Sequence, residues 1–110
     1  MSSETLRILG VMLEDPMAWH YGLGLSDEAK IASGTIYPML ARLEKAGWLE
    51  SKWEEQGQGQ SDVPRPRRRL YRLTGHGERA ALPELEEIAR VAGRVRRKRL
   101  ARGSARERLA

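Results

Sequence analysis

Residues 33–51 read SGTIYPMLARLEKAGWLES, and a second telling stretch, RPRRRLYRLTGHG, follows at 65–77. In the first stretch Ile36, Leu40 and Leu43 share one stripe of a helix with Met39 beside it, while Thr35, Pro38, Arg42 and Lys45 share the opposite stripe. Gly47 then suits a left-handed helix end. The spacing predicts a helix over 33–46 with a dry face and a wet one, and it assigns Ile36, Leu40 and Leu43 to the core. If Ser33 is the N-cap, Pro38 deletes one backbone hydrogen bond, a tolerable loss in the first two turns.

Working outward, WLESKWEE (48–55) and RRRLYRLT (67–74) each alternate as strands and flank the Gly-, Gln- and Pro-rich turn QGQGQSDVPRP, which predicts a β-hairpin. Upstream, SSETLRILGVMLE (2–14) places Leu6, Leu9, Met12 and Leu13 at helical spacing behind Ser and Thr caps, and stops at Asp15 and Pro16. Between 17 and 32, Gly22 and Gly24 lower helix propensity, whereas Ser26, Asp27 and Glu28 favour a helical first turn. A short second helix is expected there. After Thr74 and Gly75 a last helix is expected from about Glu78 to Arg102, broken or bent near Pro83. In it Leu85, Ile88, Ala92 and Val95 follow the 3, 4, 3 spacing of a helix-to-helix seam and are the expected dimer interface.

Three helices followed by a hairpin, with small polar residues opening the third, spell a winged helix-turn-helix. The expected fold is therefore mainly α with a small β-hairpin wing, plus a C-terminal dimerisation helix. Its parts divide as 1–76 for the winged-helix domain, 77–102 for the dimerisation helix and 103–110 for a basic disordered tail.

The 110 residues carry 20 Lys+Arg against 15 Asp+Glu, a net charge of +5. That length is one small domain. With no run of about 18 apolar residues, a membrane span is excluded. The opening MSSETLRILG has neither a basic n-region nor an apolar h-region, so an intracellular, cytoplasmic location is expected. The absence of cysteine excludes a disulfide framework, a thiolate metal site and a thiol nucleophile. Charge is unevenly spread: residues 1–64 hold 5 Lys+Arg and 10 Asp+Glu, a net of −5, and residues 65–110 hold 15 and 5, a net of +10. Such asymmetry points to a polyanionic partner. Double-stranded DNA fits better than a membrane surface, because the basic segments lack bulky apolar anchors.

The strings SGTIYPMLARLEKAGWLES and RPRRRLYRLTGHG together resemble the PadR family of bacterial transcriptional regulators. Its hallmarks are a Ser-Gly-Thr-aliphatic-Tyr-Pro helix start, an arginine-rich second wing strand and a Leu-Thr-x-x-Gly helix start. The resemblance spans roughly residues 5 to 80. It implies a winged-helix DNA-binding domain, a homodimer held largely by a C-terminal helix, and a repressor of a nearby operon; many members respond to small aromatic or drug-like compounds. Two departures stand out: members commonly show Tyr-Gly-aromatic-Glu-Leu at the start of the second helix, whereas Tyr21, Gly22, Leu23, Gly24, Leu25 lacks the glutamate, and the tail is short and unusually basic.

Ser33, Thr35 and Tyr37 open the third helix, where backbone amides and hydroxyls suit phosphates and base edges, and Pro38, Arg42 and Lys45 share the wet face. Competing readings are that Ser33 merely caps, Tyr37 merely packs and Arg42 forms a solvated pair near Glu44. Arg65, Arg67 and Arg68, nearest the hairpin tip, are the wing candidates for phosphate or minor-groove contact; the alternative is a solvated basic edge that blocks sheet aggregation. Trp48 and Trp53 read as packing between wing and helices, whereas Trp19, beside His20 and Tyr21, is the candidate to line a pocket for a small aromatic effector. Nine basic residues from Arg90 to Arg108 either add non-specific DNA affinity or form a solvated end.

Nothing in the residue inventory suggests an enzyme, a metal or a cofactor. His20 and His76 are the only histidines, His76 and Glu78 do not by themselves make a metal site, and Glu54-Glu55 and Glu84-Glu86-Glu87 read as solvated charge. Together these features read as a homodimeric, sequence-specific DNA-binding transcriptional regulator, a repressor on an inverted-repeat operator. The rival readings are a non-specific, architectural nucleic-acid binder driven by the tail and a winged-helix module for protein contacts.

Overall fold

The computed structural model of the chain describes residues 1–55 and 66–109. In order, the elements are α1 (Ser3–Leu13), β1 (His20–Tyr21), α2 (Gly22–Ala29), α3 (Ser33–Lys45), β2 (Leu49–Trp53), β3 (Arg69–Leu73) and α4 (Gly75–Leu109). Ser2 caps α1 by accepting the Thr5 N–H at 3.1 Å, and the helix buries Ile8, Leu9 and Met12. These three meet Leu25 and Ala29 of α2, Ile36, Met39 and Leu40 of α3, Leu49, Tyr71 and Leu73 of the sheet and Ala81 of α4 in one core.

The second helix exists but its register differs from the sequence expectation. Tyr21 is held extended by pairing with Leu70, so the helix starts directly after it, and Ser26 to Glu28 form its last turn rather than its first. Ser26 is buried there and its hydroxyl donates to the Ile31 carbonyl. Lys30, at φ 56°, turns the chain out of the helix in the left-handed conformation.

In α3 Ala32 takes the N-cap position, which makes Ser33 the first helical residue rather than the cap. Pro38 lies inside the helix, and the packing of Ile36, Met39 and Leu40 offsets its missing N–H. Leu43 is half-buried against the same core. The helix ends in a Schellman turn: Gly47 at φ +81° donates to the Glu44 carbonyl and Trp48 to the Leu43 carbonyl, each at 3.0 Å.

The hairpin pairs Leu49 with Leu73, Ser51 with Tyr71 and Trp53 with Arg69, antiparallel throughout. A third strand, β1, was not foreseen. It pairs His20 with Tyr71 and makes β3 the central strand, in the order β1-β3-β2. Most of the expected turn, residues 56–65, lies outside the described residues.

Thr74 launches α4. Its hydroxyl donates to the Gly47 carbonyl at 2.6 Å and accepts the Gly77 N–H at 3.0 Å, a cap that ties the helix start to the end of α3. Gly77 has to lack a side chain, since a Cβ there would lie 2.1 Å from the Trp48 carbonyl oxygen. The helix therefore begins at Gly75, ahead of the expected Glu78. Pro83 does not break it, because Ala81 and Leu85 on either side are anchored on the core. The helix runs to Leu109, past the expected end at Arg102. At about 1.5 Å per residue α4 is roughly 52 Å long. It accounts for the long axis of a molecule measuring 65 × 33 × 24 Å. Among the described residues no helix is long and apolar enough to cross a membrane.

Candidate nucleic-acid interface

With Ile36, Leu40 and Leu43 turned inward, the helical repeat directs Gly34, Pro38, Ala41 and Lys45 outward, and all four are exposed. Thr35 and Arg42 flank that stripe on one side, Tyr37 and Glu44 on the other. Ser33, Thr35, Arg42 and Lys45 are exposed, and none of their side chains has a hydrogen-bond or ion-pair partner among the described residues. Arg42 does not pair with Glu44. That carboxylate instead accepts from the Ser51 hydroxyl and lies 3.7 Å from Arg69.

The Tyr37 flank faces the wing. Tyr37 is 43% exposed and its ring lies on the bare backbone of Gly22, where a Cβ would come within 2.5 Å of Cε1. Tyr21, Leu23, Tyr37, Trp53, Arg67 and Arg68 line a cavity of about 450 Å³ between the start of α2, α3 and the hairpin. Arg68 places its guanidinium 4.2 Å from the Tyr21 ring centroid and Arg69 lies 5.1 Å from that of Trp53.

The sheet's arginines divide by partner. Arg69 donates to Ser51 at 2.8 Å and Arg72 reaches Glu50 at 2.6 Å, so both serve the hairpin internally. Arg67 is exposed and without a partner among the described residues, and Arg68 is exposed and stacked on Tyr21. Arg65 lies outside the described residues. Among the described residues, the cations near the outward face of α3 without an ion-pair partner are Arg42, Lys45, Arg67 and Arg68, the last of them stacked on Tyr21. Of the aromatic residues around Arg67 and Arg68, Tyr37 is a candidate from sequence, whereas Tyr21 and Trp53 are not, because β1 brings Tyr21 there only through pairing with β3.

The tryptophans separate by environment. Trp48 is half-buried, edge-on to His76 at 6.4 Å, as expected of a packing residue. Trp53 instead stands 57% exposed on the wing. Trp19 is taken up by Lys52 and Arg72, at 4.4 and 4.3 Å from its ring centroid. Tyr71, beneath the wing, is buried, and burial pushes its hydroxyl above the ordinary tyrosine value despite the lowering effect of Arg69.

On another face, a cavity of about 600 Å³ opens between α1, the end of α2 and α4, lined by Leu6, Val11, Leu85 and Ile88 with Arg7 and Glu28 among its polar residues. Leu85 packs toward Gly10 and joins the core. Beyond it the same stripe of α4 carries Ile88, Ala92 and Val95, all exposed. Among the described residues no group of three His, Cys, Asp or Glu side chains is arranged to hold a metal ion.

The model of the transcriptional regulator PadR-like family matches residues 20–82. Among solved structures, smu.1704 from Streptococcus mutans UA159 is 30% identical with a TM-score of 0.64, the match covering 82% of each chain. A PadR family transcription regulator from hypervirulent Clostridium difficile R20291 is 19% identical with a TM-score of 0.67, over 87% of this chain and 97% of that one. The PcaV transcriptional regulator from Streptomyces coelicolor, solved with its natural ligand, is 22% identical with a TM-score of 0.65, over 82% of this chain and 57% of that one. No curated protein matches the chain. Winged helix, arginine-bearing wing and family match agree, and the chain belongs to the PadR-like family of transcriptional regulators.

Proposed function

We propose that the protein is a homodimeric, sequence-specific repressor that reads an inverted-repeat operator in double-stranded DNA. The observation that carries this reading is the exposed face of α3, where the side chains of Ser33, Thr35, Arg42 and Lys45 have no hydrogen-bond or ion-pair partner among the described residues. Exposed hydroxyls at Ser33 and Thr35 suit base edges or phosphates at a helix N-terminus, and Tyr37 continues that surface toward the wing. Arg67 and Arg68 supply charge beside it, for backbone or minor-groove contact.

Dimerisation is supported by the unpaired stripe Ile88, Ala92 and Val95 and by the apolar cavity that continues from it along α1. Two copies of α4 placed against one another cover both, and a two-fold dimer sets the two α3 helices in successive major grooves, roughly 34 to 36 Å apart. The same cavity is the best seat for a small apolar or aromatic effector, because its walls are Leu6, Val11, Leu85 and Ile88. A DNA-bound repressor of this kind works in the cytoplasm.

Selection from random duplex DNA tests the reading. A two-fold symmetric consensus that loses its advantage over random sequence in the Thr35→Ala variant supports it; binding with no sequence preference at any salt concentration sinks it and favours an architectural binder. Retained folding with no DNA binding at low salt favours a module for protein contacts.

A further inference from the structure

From Gly75 to Leu85 one side of α4 lies on the core, but beyond that the helix stands clear of it. Residues 89–109 project as an arm of roughly 30 Å at the rise of an α-helix. Its apolar stripe stops at Val95, and the next residues are Arg96, Arg97, Lys98 and Arg99, with Arg102 a turn further on. All of these are exposed. At about 3.6 residues per turn they lie on every side of the helix rather than on one face, so a seam formed by Ile88, Ala92 and Val95 leaves most of this charge free. The one ion pair on the described part of the arm is Arg90 with Glu87, 2.6 Å apart and ahead of the cluster.

Two physical consequences follow. Arg94 with Arg97 and Lys98, Arg96 with Arg99, and Arg102 with Lys98 and Arg99 are like charges at helical neighbour spacings, which destabilise a free helix and are relieved by a polyanion. The arm leaves from the far end of the packed part of α4: the Thr74–Gly47 hydrogen bond ties the start of α4 to the end of α3, whereas the arm begins beyond Leu85 and Ile88, which line the cavity against α1.

We propose that residues 96–102 form a second, sequence-independent DNA-binding element that grips a duplex other than the one held by α3 and the wing, so that the protein bridges two DNA segments. The proposal rests on α3 and the wing holding the first duplex. Phosphates recognised by charge alone make the grip indifferent to sequence and steeply dependent on salt.

A capture experiment tests it. Full-length protein is loaded on an immobilised duplex carrying the selected site, and a labelled, random-sequence duplex is added in trans. The wild-type chain captures the second duplex, and its helix content by circular dichroism rises when random DNA is added. Replacing Arg96, Arg97, Arg99 and Arg102 together by Gln lowers capture by roughly tenfold or more and abolishes the helical gain, with site preference on the first duplex unchanged. The all-Lys replacement at the same positions retains capture. No capture by the wild type, or equal capture by the Gln variant, overturns the proposal. So does loss of site preference in the Gln variant, which would place the arm in the operator interface. Should the wild type capture random DNA yet show no preferred site, the arm stands and the operator reading fails.

Discussion

A Cβ placed on Gly22 would lie 2.5 Å from Cε1 and 2.9 Å from Cζ of Tyr37, so the first residue of α2 and the exposed face of α3 meet without an intervening side chain. Ala at position 22 forces the ring away. Because the atoms met are the far end of a side chain that is 43% exposed, the ring can swing into solvent. Gly22→Ala is therefore predicted to cost only about 1 kcal/mol of stability, at the low end of overpacking effects. Its discrimination between selected and random DNA should fall as far as that of Tyr37→Ala. Thermal melts paired with binding titrations check this; unchanged discrimination would remove Tyr37 from the interface.

Gly77 presents the opposite case. Its Cβ would meet not a mobile ring but the Trp48 carbonyl, at 2.1 Å from the oxygen and 2.8 Å from the carbon. Backbone on both sides leaves nothing to give, so Gly77→Ala is predicted to destabilise by about 3 kcal/mol, near the top of the overpacking range. Gly34→Ala is the control, with nothing within 4 Å of the added carbon. There helix propensity favours Ala by roughly 0.5 to 1 kcal/mol. Denaturant unfolding of the pair measures the contrast.

Tyr71 gives stability a dependence on alkaline pH. Burial raises its hydroxyl above the ordinary value of 10.0, so the unfolded chain surrenders that proton first. The contribution of the neutral hydroxyl is complete below pH 10.0 and declines as pH rises from there through the raised folded value. Tyr71→Phe removes this leg. The stability difference between wild type and Tyr71→Phe, followed by denaturant titration, should be flat below pH 10.0 and shift in favour of the variant above it. A flat difference throughout would contradict the assignment.

Ile88 and Val95 are 46% and 53% exposed on the stripe proposed as the dimer seam. A carboxylate at the centre of an apolar seam is left buried and unpaired, which costs several kcal/mol per ion. Ile88→Glu and Val95→Glu are accordingly predicted to yield folded monomers in analytical ultracentrifugation, with operator binding weakened. Persistence of a dimer in both variants would move the interface elsewhere.

Much of this fold is legible in the sequence because its determinants are local. Ile36 and Leu40, assigned to the core by spacing alone, are fully buried, and Gly47 stands in the left-handed turn that ends α3. What escaped depends on partners distant in the chain. β1 consists of His20 and Tyr21, too short for any alternation to show, and it exists because β3 offers a free edge some fifty residues later. That pairing also sets the start of α2 at Gly22, where propensity alone favours a first turn around Ser26 to Glu28. α4 continues through Pro83 for a related reason: packing of Ala81 and Leu85 on the core holds the helix through a residue that would break a free one. At the interface, sequence supplied α3 and the arginines but not their sorting, since only the register of β2 with β3 brings Arg69 to Ser51 and Arg72 to Glu50.

The central claim is a division of labour: α3 reads sequence, and the wing arginines hold phosphate. Its most direct measurement is the salt dependence of binding to selected and to random duplexes for wild type, Thr35→Ala and Arg67→Ala. Thr35→Ala should lose affinity for the selected duplex by about 1 to 3 kcal/mol while keeping the wild-type salt slope and its affinity for random DNA. Arg67→Ala should weaken both duplexes alike and flatten the slope by about one unit. Parallel losses with identical slopes in the two variants, or a selected site on which neither matters, would contradict it.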